Sequence, residues 1–510
     1  MRKNTDWLLG ASAFLSVCLF GFVLFCTIPI TPASGASSRI EPRPQPRQEA
    51  TPKTNEPVAI PANARPYLPP NAALHKVARG ESLPAIVHRF LPATTYMTGS
   101  ELEKAIREAN PSLAKGIYPK PETELVIPGF EPMPWTEKPV LVEPGFEVRA
   151  IYLTGTMAGS ARGLEIIHRW RAAGGNAVVF DLKDSDGLLN VPFAHPLAWE
   201  RGGEPIRNLP KLTRYFHAMG MRAIARIAIF RDESLVKRHP ELAVRSRKTG
   251  QPWRENGKLV WTDPSRREVW DYNISLARLA AQSGADEVQF DYVRFPAEGD
   301  QQDAHFAFED ESKPDAQHTA TKRADVIVAF LQRARAELEP LGTLLSLDVF
   351  GVMAWERPID LAHTGQDIAR MAHTCDILSP MIYPSHFFHM DGIAKPGDAP
   401  EHFIAESMKR FEKTTQGSGV VLRPWLQAFA WRTKTYSPDY IRVQVEVARR
   451  EGGIGFLFWN ARNDYSQPFA AMPEMRRAGA KYFRGDEVQG ALRKRGQATG
   501  GSSAAPAGGN

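Results

Sequence analysis

Cysteine is scarce in this chain: 3 in 510 residues. Cys18 and Cys26 lie in an N-terminal apolar run and Cys375 stands apart, so no pair outside that run can build a disulfide framework. No C-x-x-C knuckle offers zinc a thiolate pair. This pattern neither requires nor excludes an oxidising compartment. A dominant charge is also missing. The 63 Lys and Arg residues face 57 Asp and Glu, a formal net charge of +6, with much of the excess in the flanks. Neither a recognition-helix nor a zinc-finger pattern accompanies it, so no nucleic-acid partner is expected. The G-x-G-x-x-G phosphate turn is absent as well: the first strand-to-helix turn reads Thr154-Gly-Thr-Met-Ala-Gly-Ser160. That spacing argues against a doubly wound sheet built for a dinucleotide.

What is present begins with Trp7 to Ile28, about 22 residues without a charge, enough to cross a bilayer as a helix. Arg2 and Lys3 precede it. They predict a cytoplasmic N-terminus and a single pass through the inner (cytoplasmic) membrane, with the C-terminal part outside the cytoplasm. A cleaved signal peptide is the alternative, because Ala33-Ser-Gly-Ala36 supplies small residues after the run. The length of the run favours an uncleaved anchor over 1–28. Residues 29–72 are rich in Pro, Ala, Arg, Thr and Glu, with too few large apolar groups to fold. They read as an extended, disordered linker. Residues 484–510, rich in Gly, Ala, Ser, Arg and Gln, read as a disordered tail.

Over the whole chain, 43% hydrophobic residues fit a globular protein with a sizeable core. A small α+β module is expected over 73–130. His75 to Leu83 reads as a short strand, a Gly turn and a helix N-cap at Ser82. The helix continues through Ile86, Val87 and Phe90. A second helix, Ser100 to Ala109, carries Leu102, Ile106 and Ala109 at helical spacing and stops at Asn110-Pro111. Glu124 to Pro128 closes the module as a strand. The strings HKVARGESLPAIVHRF, EANPSL and TELVIPG resemble a LysM module, with Leu91 to Ser100 as an insertion. The LysM family binds N-acetylglucosamine-containing glycans, so the resemblance implies peptidoglycan as a partner.

From 146 to 483 the pattern alternates strand and helix. Eight apolar runs are legible: Val148–Thr154, Ala177–Lys183, Arg222–Phe230, Glu287–Phe295, Leu344–Phe350, Cys375–Tyr383, Leu422–Ala430 and Gly453–Asn460. Helical stretches such as Leu164–Ala173, Leu209–Met219, Lys322–Leu338 and Pro438–Arg450 lie between them, several ending in Gly. Alternation implies parallel pairing with right-handed crossovers. Eight units over about 330 residues predict a (β/α)8 TIM barrel with long loops.

In such a barrel the chemistry sits at the C-terminal ends of the strands. The fourth run, Glu287-Val-Gln-Phe-Asp-Tyr-Val-Arg-Phe-Pro296, ends with Asp291 and Arg294. A carboxylate in an apolar strand is costly unless paired or used. An Asp291–Arg294 ion pair closing the strand is the structural alternative to a role in catalysis. Other runs bring Asp181 and Lys183, Arg226, Asp348, Tyr383, Trp425 and Gln427, and Trp459 with Asn460. Period-two alternation puts Asp181 and Lys183 on one face, and Gln289 and Asp291 likewise. Asp184-Ser-Asp186-Gly187 has a faint likeness to a calcium loop but lacks the Glu of the last ligand position, so it reads as a strand-to-helix loop. His195, His363 and His386 fall in loops and read as surface residues. Since no strand end carries two histidines, a metal-dependent hydrolase such as a polysaccharide deacetylase ranks last, and neither metal nor organic cofactor is expected.

Two carboxylates among aromatic platforms suit glycoside hydrolysis, in which one protonates the leaving oxygen and the other meets the oxocarbenium-like centre. Asp291 and Asp348 lie on adjacent strands, with Asp181 in reserve. Lys183, Arg226 and Arg294 are placed to hold one carboxylate ionised. Tyr383, Trp425 and Trp459, with Gln427 and Asn460, are expected to contact a sugar.

The strings YLTGTMAG, NAVVFDLKDSDG, VQFDYVRFP, LSLDVFG, ILSPMIYPSHF and GFLFWNARNDY resemble a bacterial glycosyl hydrolase domain family first catalogued as a domain of unknown function. The resemblance covers about residues 148 to 470 and implies a barrel related to those of α-amylases and α-galactosidases. It maps the nucleophile at the end of strand four onto Asp291. The amylase-type acid is a Glu on strand five, where this chain has Asp348. The expectation is an envelope-facing glycoside hydrolase, retaining in stereochemistry, acting on an envelope or extracellular polysaccharide. A non-catalytic glycan-binding envelope protein is the alternative.

Overall fold

The computed structural model describes residues 70–484 apart from 114–116, 132, 141–144, 200–201, 312–315 and 389. The apolar run with Cys18 and Cys26, nearly all of the linker and the tail beyond 484 lie outside the described residues. Among the described residues no helix is long and apolar enough to cross a membrane. The chain divides near residue 131 into two compact units, each taken by itself.

In the smaller unit, strands Ala72–Lys76 and Glu124–Pro128 pair antiparallel, with Leu74 opposite Val126. Helices Leu83–Phe90 and Gly99–Ala109 lie between them in sequence. Ser82 caps the first through the Ala85 N–H. The second starts at Gly99, one residue before the expected Ser100, because Thr98 and Glu101 form a reciprocal capping box. Leu83, Ile86, Leu102, Ile106, Leu125 and Ile127 make a common core. Asn110 locks helix to strand: its amide donates to Ile106 O and Val126 O, and its oxygen accepts from the Val126 N–H at 2.9 Å.

The larger unit is a closed ring of parallel strands. These are β1 (Val148–Leu153), β2 (Ala177–Lys183), β3 (Arg222–Ala228), β4 (Glu287–Asp291), β5 (Leu344–Phe350), β6 (Ile377–Ile382), β7 (Val421–Leu422 and Trp425–Gln427) and β8 (Gly455–Trp459). Each pairs with the next, and β8 pairs with β1 to close the barrel. The crossover helices are α1 (Ala161–Ala173), α2 (Leu209–Ala218), α3 (Arg267–Gln282), α4 (Ala316–Leu338), α5 (Ile368–Ala372), α6 (Pro400–Thr414), α7 (Pro438–Arg450) and α8 (Ser466–Ala478).

Two strands differ from expectation for local reasons. β4 stops at Asp291 because Tyr292 adopts a left-handed backbone, φ 52°. β7 is broken at Arg423-Pro424, since proline has no N–H for the ladder. Its first piece pairs with β6 and its second with both β6 and β8.

The lower barrel is filled by apolar side chains, among them Val148, Ala150, Ala177, Val179, Ile224 and Leu457. Closure depends on Gly455, φ 78°, where an added Cβ would lie 2.1 Å from Val148 O. Gly455→Ala must therefore push β8 off β1. A loss of roughly 1–3 kcal/mol is expected, read as a lower midpoint in denaturant unfolding.

Candidate active site

Above the apolar layers the inward positions turn polar. Asp181 on β2 pairs in register with Arg226 on β3, and Arg226 with Gln289 on β4. Asp291 ends β4, and Asp348 stands opposite Ser379 between β5 and β6. Neighbouring parallel strands thus bring three carboxyl groups round one guanidinium.

Arg226 donates to Asp181 and to Asp291 Oδ2, the latter at 2.5 Å. Its Nε lies 3.8 Å from Asp348 Oδ2. Asp291 also accepts from the Tyr292 N–H at 2.6 Å, a bond that the left-handed turn at Tyr292 makes possible. Asp181 accepts from the Tyr152 hydroxyl at 2.5 Å, and Asp348 from the Trp425 indole N–H at 2.7 Å. The three carboxyls are only 2% (Asp181), 6% (Asp291) and 1% (Asp348) exposed, so unbalanced charge here is expensive. Burial raises the pKa of Asp348 well above the usual carboxylate range; the neighbouring Asp291 pushes the same way, and Arg226 opposes. Burial likewise raises Asp181, against Arg226 and the Tyr152 hydrogen bond. The site is therefore built to keep one carboxyl protonated beside another that is hydrogen-bonded to a cation.

Aromatic groups frame this cluster. Trp459, half-buried at the end of β8, stacks on Tyr152 at 4.0 Å and lies over Arg226 at 5.2 Å. Tyr383 is buried beside Phe429 and His386. His386 meets Trp431 at 4.9 Å and is half-buried, where a surface residue was expected; burial pushes its pKa down to about 4.

Other expected contacts are placed elsewhere. Lys183 does not share the face of Asp181, because the β2–β3 register shifts between them. Its fully buried ammonium donates to Asp232, Asn273 and Ile229 O, outside the barrel and against α3. Lys183→Met strands the Asp232 carboxylate. It is expected to cost about 3–5 kcal/mol of stability, checked by denaturant titration, with no selective effect on KM. Arg294 is held between the rings of Trp261 (4.6 Å) and Phe350 (4.5 Å) and donates to Phe295 O. The cation bonded to Asp291 is Arg226, not the expected alternative Arg294. Gln427 is buried and ties loops together through Ser385 N, Phe429 O and Thr433. Asn460 does the same through Ala428 O and Asp464 O.

Two site residues were missed from the sequence. Tyr152 looks like one more apolar strand residue, and only the period of β1 shows that it faces inward at the top. Asp184 follows the register shift, which turns Lys183 outward and returns the next side chain to the mouth. Its carboxyl is within hydrogen-bonding reach of Asp181 and accepts from Asn190 Nδ2 at 3.0 Å. Burial and the Asp181 charge push its pKa up to about 8.

Residues 150–465 match the family described as "Putative glycosyl hydrolase domain". Among solved structures, a hypothetical protein from Ruminiclostridium thermocellum is 34% identical, over 39% of this chain and 97% of that one, with a TM-score of 0.33. The PgaB (BpsB) glycoside hydrolase domain from Bordetella bronchiseptica is 14% identical, over 67% of this chain and 99% of its own, with a TM-score of 0.50, a likeness of fold. No curated protein matches the chain. With the match spanning more than half of its length, the chain belongs to this family of glycosyl hydrolase domains.

Proposed function

We propose that the barrel hydrolyses a glycosidic bond in an envelope or extracellular polysaccharide, with Asp291 as the nucleophile. The observation that carries this is the pairing of Asp291, fixed by Arg226 and the Tyr292 N–H, with Asp348, whose proton is retained by burial and by Asp291 itself. A glycosidase needs that division between a carboxylate and a carboxylic acid. Strand position alone makes Asp348 the acid/base, a role that its 1% exposure disfavours. A covalent bond from Asp291 to C1 would make the reaction retaining. Trp459 supplies a half-exposed face for a sugar ring. The small module adds affinity for N-acetylglucosamine-containing glycan, and the N-terminal apolar run holds the protein in the inner membrane with both units outside the cytoplasm.

The test takes the full-length chain and its Asp291→Asn variant to purified peptidoglycan and to α- and β-linked envelope polysaccharides, and assays new reducing ends. Release by the wild type alone supports the proposal. A non-catalytic glycan-binding role is favoured by one observation, the low exposure of the three central carboxyls. Co-sedimentation of both proteins with peptidoglycan, without release from any glycan, would establish that role instead. Proton NMR of the first product then reports whether the anomer is retained.

A further inference from the structure

The proposed hydrolysis needs a proton donor that reaches the leaving oxygen. Asp348 is poorly placed for this, being 1% exposed with its carboxyl bonded to the Trp425 indole. Asp184 is half-buried at the mouth, on the turn that follows β2. That turn is firmly held. The Gly187 N–H bonds Asp184 O, the Asp184 N–H bonds Leu188 O, and the Asn190 N–H returns to Leu182 O. Gly187 rests against Asp232, itself bonded to the buried Lys183. The Asp184 carboxyl is set between Asn190, which donates to it, and the Asp181 carboxyl. Two carboxyl groups within hydrogen-bonding reach hold a proton between them.

We infer that Asp184 is the proton donor of the reaction and that Asp181, anchored by Arg226 and Tyr152, is the positioning residue that keeps it loaded. This rests on the glycosidase reading above. As the bond between C1 and the glycosidic oxygen breaks, its electron pair goes to that oxygen, which takes the Asp184 proton while Asp291 bonds C1. Water then attacks C1, its proton goes to Asp184, and the bond to Asp291 breaks. Asp348 stays protonated as the neutral companion of Asp291.

The charged and titratable groups facing Asp184 are Asp181 on its own strand and Asp186 on its own turn, with Arg226 from β3 and Tyr152 from β1 beyond Asp181. The adjoining helix Gly155–Ala158 brings no charge. The raised pKa of Asp184, about 8, agrees with a donor loaded at neutral pH.

The experiment compares full-length wild type, Asp184→Asn, Asp348→Asn and Asn190→Ala on the polysaccharide panel and on 2,4-dinitrophenyl glycosides of glucose, galactose and N-acetylglucosamine, whose leaving group needs no proton. Asp184→Asn is expected to lose about 10²–10⁴-fold on polysaccharide and, on the aryl glycosides, to keep kcat/KM within about tenfold of wild type while kcat falls, because Asp184 is also the base of the second step. Asn190→Ala removes a hydrogen bond that lowers the Asp184 pKa, so the basic limb of its pH–rate profile moves up. Leaving-group rescue in Asp348→Asn and not in Asp184→Asn would overturn the inference. An infrared titration needs no turnover: wild type should show a protonated carboxyl band bleaching near pH 8 that is missing from Asp184→Asn. An unchanged band overturns the inference. Its loss with no turnover on any substrate would leave the carboxyl pair standing and remove the glycosidase reading.

Discussion

Asp291→Asn is expected to reduce kcat by on the order of 10⁴-fold while the protein stays folded. The substitution is nearly isosteric, and the Tyr292 N–H still finds an oxygen in its place. It removes the atom that would bond C1. It also removes the Asp291 charge, which together with burial holds the Asp348 proton, so the pKa of Asp348 should fall in the variant. Steady-state kinetics with a thermal melt separates the two effects. A kcat loss of less than about tenfold would take Asp291 out of the covalent step. Exogenous azide offers a second check, since it restores turnover when a missing carboxylate was the nucleophile.

Arg226→Met is the variant expected to lose most stability. It leaves three buried carboxyls without the cation that lies among them, a loss of about 3–5 kcal/mol at neutral pH. The sign of its pH dependence follows from the shifts. Asp181 and Asp348 already have raised folded-state pKa values, so their favourable contribution is complete below the ordinary carboxylate range and fades as pH rises through the folded value. Arg226 lowers both, so its removal raises both further. The deficit should be small near pH 4 and widen towards pH 8. Calorimetry across that range is the check: a deficit independent of pH would mean that Arg226 acts by packing alone.

The barrel was legible because strand and helix periods, Gly stops and turn spacing are local signals that repeat eight times. Asp181, Arg226, Asp291 and Asp348 were legible for the same reason: a charge at the end of an apolar run is conspicuous. Lys183 was misplaced because strict alternation fails at a bulge, and a bulge depends on the neighbouring strand rather than on its own residues. The same bulge concealed Asp184. Gln427 and Asn460 look like sugar contacts in sequence, yet an amide bonds a backbone carbonyl as readily as a hydroxyl, and here loop carbonyls occupy them. The partner of Asp291 was a choice between a near residue, Arg294, and a distant one, Arg226. Only the pairing of β3 with β4 decides it.

The seam between β8 and β1 has a consequence for how the protein is made. Val148 waits for Gly455, and the Tyr465 hydroxyl bonds Tyr152 O across 313 residues of chain. At ordinary translation rates that interval lasts on the order of tens of seconds. Throughout it the first strands have an open edge, and the Asp181–Arg226 pair lacks the roof that Trp459 later provides. Nearly the whole domain must emerge before any part of the site is dry. Truncations short of Tyr465 should therefore yield aggregation-prone chains rather than weakened enzymes, and a holding chaperone during synthesis should matter more to yield than any single surface residue.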